Sequence, residues 1–139
     1  MTGFRITQET VNGRWEIRAV KATYDAQGDV LLQEVSARML SNGFERVTVI
    51  SDKGRFEASR LVLHLEGNVI VASGLGSRLE TPELQWNGAD AVMVAGGGVR
   101  LKRLGLEVLG KSARYRIDSG MAMVSGGVRT TLDSRSNRP

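Results

Sequence analysis

The 139-residue chain contains no cysteine, which removes thiolate nucleophiles, disulfides and cysteine-ligated zinc together. That absence does not fix a compartment, since a chain without thiols tolerates oxidising and reducing surroundings alike. Histidine occurs once, as His64. A metal site built on imidazoles needs several, and a Ser-His-Asp triad would have this residue alone to use. His64 lies between Leu63 and Leu65 in a strand-like run and reads as a side chain on a solvent face. Proline occurs twice, and aromatics are 5% of the chain. No run approaches the ~20 apolar residues of a membrane-spanning helix. Met1 to Arg14 is polar, without the apolar stretch of a signal peptide. Two expectations stay open: a cytosolic chain, or one whose targeting segment has been removed.

The net charge is +4 and the sequence pI about 10.0, a balance that favours anionic partners. The excess is scattered, apart from the terminal Arg129, Arg135 and Arg138, and scattered charge is the ordinary means of solubility. No basic stripe is interleaved with aromatic platforms, so nucleic acid is not an expected partner. No acid lies in a catalytic motif, and neither a nucleophile elbow nor a phosphate loop is present. Gly96-Gly97-Gly98 shares only its glycines with a phosphate loop, because the following Lys and helix are missing. An enzyme, a metal and a cofactor are therefore not expected.

What the chain does have is internal repetition. Tyr24, Phe56, Trp86 and Tyr115 are separated by 32, 30 and 29 residues, and each is preceded two positions earlier by Ala22, Gly54, Leu84 or Ala113. Val35, Val69, Val99 and Val128 follow these aromatics after 11, 13, 13 and 13 residues. Three of the valines stand behind Gly67-Asn68, Gly97-Gly98 and Gly126-Gly127. The first stands behind Gln33-Glu34, which marks that copy as the divergent one.

Each unit reads as strand, turn, strand, kink, strand. Leu61, Leu63 and Leu65 alternate with Val62 and His64, the period-2 pattern of a strand with one buried face. A glycine within such a run suggests a bend. Turns are expected at Asp25–Asp29, Asn87–Asp90 and Asp118–Gly120. From Val99 to Leu109, helical spacing competes, but Gly98, Gly105 and Gly110 each cost ~1 kcal/mol in a helix. Two short strands about Gly105 are expected instead. The fold expected is all-β: an open β-jelly roll or β-slab of two facing antiparallel sheets, built from four hairpin-like repeats with twelve or more strands. Residues 1–14 form an N-terminal segment, 15–132 the single domain, and 133–139 a disordered tail.

The phrases Trp15-Glu16-Ile17-Arg18-Ala19 with Ala22-Thr23-Tyr24-Asp25, Leu63-His64-Leu65-Glu66-Gly67-Asn68-Val69, and Leu79 to Trp86 resemble the LptA/LptC, or OstA-like, lipopolysaccharide-transport family. The resemblance runs from about Trp15 to Leu132. It leans to LptC through the Trp15 opening and the Thr81–Trp86 segment, with a soluble LptA-like protein as the alternative. Members of the LptC type usually carry an N-terminal membrane anchor, which this sequence lacks; were this its native start, the LptA-like role would gain.

The resemblance implies a periplasmic, inner-membrane-associated carrier. It would take lipopolysaccharide from the transporter containing LptF and LptG through its N-terminal edge, and pass it to an LptA-like protein through its C-terminal edge. Acyl chains are expelled from water at ~0.8 kcal/mol per methylene, so a carrier needs an apolar trough. The candidates to line it are Ile17, Phe56, Leu61, Leu63, Leu65, Val69, Val71, Trp86, Met93, Val99 and Leu101. The same side chains would equally make a dry core. Candidate partner edges are Trp15, Ile17 and Ala19 at one end, and Val124, Val128, Thr130 and Leu132 at the other. Lys21, Lys102 and Arg103 are candidates to meet lipid phosphates, against the plainer reading of each as a solvated surface charge. The rival from another class is a polymerising β-solenoid with no ligand.

Overall fold

The computed structural model describes residues 2–10, 13–74, 76–88 and 90–132, and among them there is no helix. Twelve strands follow one another: β1 (Thr2–Thr10), β2 (Gly13–Tyr24), β3 (Val30–Ser41), β4 (Phe44–Glu57), β5 (Val62–Ser73), β6 (Ser77–Asn87), β7 (Val92–Gly96), β8 (Val99–Arg103), β9 (Leu106–Gly110), β10 (Ser112–Arg116), β11 (Ala122–Ser125) and β12 (Arg129–Leu132). All pairings are antiparallel, and β1 to β6 pair in sequence order. At β6 the sheet forks. Glu83–Asn87 pairs with β7, which leads to β10 and β11, whereas Ser77–Glu80 pairs with β8, which leads to β9 and β12. The two sheets expected from the sequence are thus two halves of one hydrogen-bonded sheet.

The long strands bend at mid-length. Val35, Val69, Val99 and Val128 each follow a residue of positive φ: Glu34 (52°), Asn68 (47°), Gly98 (102°) and Gly127 (60°). The kink expected in each copy is therefore present in all four, and Glu34 adopts it without glycine. In the partner strands the bends are held by hydroxyls. Ser51 Oγ donates to Lys53 O at 3.0 Å, and Thr81 Oγ1 to Glu83 O at 3.0 Å and Gly96 O at 3.1 Å. The pairing register shifts at these same places.

Bending brings the two ends of the sheet face to face. Trp15 aligns with Met39 of β3 and Phe56 with Val30, nine residues apart, which is about 30 Å of extended strand. Yet the Trp15 and Phe56 rings are 5.8 Å apart, edge to face, and Trp15 lies 5.0 Å from Trp86. Trp15 and Trp86 are both 0% exposed at the centre of one continuous apolar core. Gly88 must lack a side chain, because a Cβ there would stand 2.4 Å from the Trp15 ring.

Two expectations are corrected. The ordered domain does not begin at Trp15: β1 pairs with β2 from Thr2 opposite Lys21 to Thr10 opposite Gly13. Phe4 and Ile6 carried the alternating signal, diluted by Arg5, Thr7 and Gln8. The four repeat aromatics are not equivalent either. Phe56, Trp86 and Tyr115 are buried, but Tyr24 is 61% exposed, three residues beyond Lys21, where the described pairing of β2 with β1 stops. The segment 133–139 lies outside the described residues. The two short strands about Gly105, by contrast, are present as β8 and β9.

Left-handed backbone costs a non-glycine residue ~1–2 kcal/mol, part of which glycine gives back as chain entropy. Glu34→Gly is therefore expected to stabilise the fold by about 0.5–1 kcal/mol and to raise Tm by about 2–4 °C. A lowered Tm in a thermal melt would contradict the assignment of strain to this bend.

Candidate functional site: the interior and the open edges

Successive strands align their inward residues in rows. One row runs Val30, Phe56, Leu63, Trp86, Met93 and Tyr115. Another, on the opposite half-sheet, runs Ile17, Ala37, Val49, Val71, Leu79 and Leu101. Of the eleven residues named as trough candidates, Ile17, Phe56, Leu63, Leu65, Val69, Val71, Trp86, Met93 and Val99 are buried, and Leu61 and Leu101 pack half-buried against them. The structure gathers all eleven into one interior, and in it they touch one another. The indole N–H groups of Trp15 and Trp86 are buried there without an acceptor among the described residues, which costs ~1–3 kcal/mol per donor.

The corner of this wedge is made of covalent strand. Its lips are not: among the described residues no strand ladder ties one lip to the other. Side chains close them, with Trp15 packed across to Phe56 and Trp86.

Trp15, Ile17 and Ala19 are not an edge. β2 is paired on both sides, by β1 and β3, and all three residues are buried. Among the described residues the N-terminal edge is β1, and the C-terminal edge is β11 followed by β12, each paired on one side only. Val124 lies half-buried on β11, Val128 is 50% exposed between the two strands, Thr130 is exposed on β12, and Leu132 is aligned with Leu106.

Charge fastens β1 to its neighbours. Glu16 has only 5% of its side chain exposed and receives Arg5 of β1 at 3.3 Å and Arg38 of β3 at 3.2 Å; Arg38 also reaches Glu45 at 3.2 Å. Burial pushes the Glu16 pKa up, but the Arg38 hydrogen bond and the charges of Arg38, Arg5 and Arg18 outweigh it and hold the carboxyl below its ordinary value.

On the outward face, a groove of about 1140 Å³ is lined by residues that include Lys21, Leu31, Arg55, His64, Gln85 and Val94. His64 sits there half-exposed, as expected, with Nε2 2.7 Å from Glu57 Oε2. That bond, and a second from Arg60, hold Glu57 below the usual carboxylate range. Of the basic candidates, Lys21 faces this outer groove and Lys102 lies 3.5 Å from Glu80 on the outer surface. Arg103 alone occupies an inward position, two residues beyond Leu101. No group of three or more potential metal ligands occurs among the described residues, and no helix is long and apolar enough to cross a membrane.

The family model described as "Lipopolysaccharide-assembly, LptC-related" matches residues 1–133. The chain belongs to the LptC family. The match includes β1, in accord with its place in the sheet. Eleven solved chains match the structure. One is LptH of Pseudomonas aeruginosa, described as the LptA-homologous periplasmic component of the conserved lipopolysaccharide transport device. It superimposes with a TM-score of 0.70 at 9% identity, over 90% of this LptC-family chain and 99% of LptH. At that identity the likeness establishes a shared fold. No curated protein sequence matches the chain.

Because the folded-state pKa of Glu16 is depressed, its stabilising contribution is complete above the unfolded-state value of about 4.3 and is lost as pH falls through the folded value. Amide exchange across Arg5–Thr7 is expected to speed up, relative to the β4–β5 core, on acidification below about pH 4.3. Glu16→Gln should already show the faster exchange at pH 7. Equal exchange in both proteins at both pH values would contradict the clamp.

Proposed function

We propose that this LptC-family chain carries lipopolysaccharide, taking lipid A acyl chains between its half-sheets while the sugar–phosphate head stays in solvent. Sequence and structure support this reading together. Family membership points to lipopolysaccharide assembly, and the geometry supplies two rows of apolar side chains on bent strands joined by backbone only along their corner. The observation that carries the reading is the unladdered pair of lips. A wedge closed by side chains opens by repacking, whereas a barrel would have to break hydrogen-bonded strands. Burial of acyl methylenes, at ~0.8 kcal/mol each, would offset the cost of parting the two rows.

In the LptC role, the chain acts at the periplasmic side of the inner membrane. It accepts lipid from the transporter containing LptF and LptG and hands it to an LptA-like protein. Two open edges at opposite ends of one sheet suit strand addition at both. With β2 covered, the N-terminal partner would add to β1. The C-terminal partner would add along β11 and β12, past Val124, Val128, Thr130 and Leu132.

The filled interior is the observation that favours the ligand-free structural repeat. The two readings separate on one experiment. A photocrosslinking side chain at Leu63 or Val99 is expected to capture lipopolysaccharide, and one at outward-facing His64 is not. No capture from either inward position at saturating lipopolysaccharide, or equal capture from His64, would contradict carriage.

A further inference from the structure

Arg103 breaks the pattern of its own strand. The inward positions of β8 are Val99, Leu101 and Arg103, and a guanidinium in that row needs polar partners. It has two. Arg103 Nε donates to Ser77 Oγ of β6, in its own half-sheet. Arg103 Nη2 donates to Gly120 O at 3.3 Å, in the turn between β10 and β11 of the opposite half-sheet. One side chain therefore spans the two lips at the forked, C-terminal end of the wedge.

Both acceptors are neutral. Among the described residues Arg103 forms no ion pair, while its outward neighbours Arg100 and Lys102 face Glu107 and Glu80 at 3.8 and 3.5 Å. Beside it on each lip stands an exposed apolar side chain, Leu104 at 85% and Met121 at 60%. An oxyanion binds the planar fork of arginine in two parallel, charge-assisted bonds, roughly twice as strong as neutral ones.

We propose that Arg103 is both the latch of the lips and a headgroup site for the phosphomonoester of an acylated lipid. The phosphate oxygens replace Gly120 O and Ser77 Oγ, the bond across the lips is released, and acyl chains enter past Leu104 and Met121. This rests on the reading that the interior takes lipid. Headgroup phosphate, rather than free phosphate, is indicated by the apolar side chains beside the guanidinium, which a free anion has no use for.

The test uses the full chain with lipid A, and with the same lipid A enzymatically dephosphorylated, in non-ionic detergent micelles. The wild type is expected to bind lipid A about tenfold more tightly than the dephosphorylated form. Arg103→Gln should bind both alike, since neither lipid then finds a guanidinium to pair with or a latch to release. Arg103→Lys, which keeps the charge without the fork, should fall between and serves alone if the Gln variant does not fold. Equal wild-type affinity for the two lipids, or a tenfold ratio that survives in the variants, would overturn the proposal. If the wild type binds neither lipid, carriage itself fails, a distinct outcome that the dephosphorylated arm reveals. Inorganic phosphate at millimolar concentration should leave the Arg103 Nε NMR signal in place. A shift as large as that with lipid A would mark a free-anion site and overturn the headgroup assignment.

Discussion

The structure depends on the bend at the middle of each long strand. Without it, Trp15 and Phe56 would sit far apart on a flat sheet, and the two inward rows would face water. With it, they meet across a wedge. The bend is local chemistry repeated four times: a left-handed residue before a valine in one strand, and in the partner strands β4 and β6 a hydroxyl that closes on the carbonyl two residues ahead. Each bend costs backbone strain or a ladder position. Burying an aromatic core on the inside of the corner offsets those costs.

The repeat was legible in the sequence because this chemistry has a visible signature. Paired glycines before Val99 and Val128, and Gly67-Asn68 before Val69, announce a kink. The first copy was legible by Tyr24 and Val35 but carries no glycine signal for its kink, since Glu34 takes the same conformation against its side chain's preference. Hairpin turns and the split at Gly105 could be read for a similar reason: turns are local. Edges are not. Trp15–Ala19 opens the stretch that carries the resemblance, and what buries it is β1, whose Arg5 and Thr7 disguise Phe4 and Ile6. The Glu16 clamp across three strands and the contact of Arg103 with Gly120 join residues 11, 22 and 17 positions apart, and no spacing rule reveals such pairs.

The interior poses a physical conflict that suits a carrier. Its side chains pack as a core does, and two indole donors within it have no acceptor among the described residues. A core designed only for rigidity would satisfy those donors. The lips are held by contacts that can be exchanged: aromatic packing at one end and one guanidinium on neutral oxygens at the other. Stability and access are thus assigned to different parts of the same sheet, the corner to backbone and the lips to side chains. The two edges stand apart from both, so a partner strand can add to either without entering the wedge.

The central claim is that the half-sheets part to admit lipid, and the distance between the lips measures it directly. Spin labels at Leu104 and Met121, one on each lip and both exposed, report that distance by pulsed electron paramagnetic resonance. Lipopolysaccharide is expected to shift the distribution to longer separations, while a control pair within one half-sheet, at Val94 and Met123, stays fixed. An unchanged Leu104–Met121 distance with lipopolysaccharide bound would contradict the account.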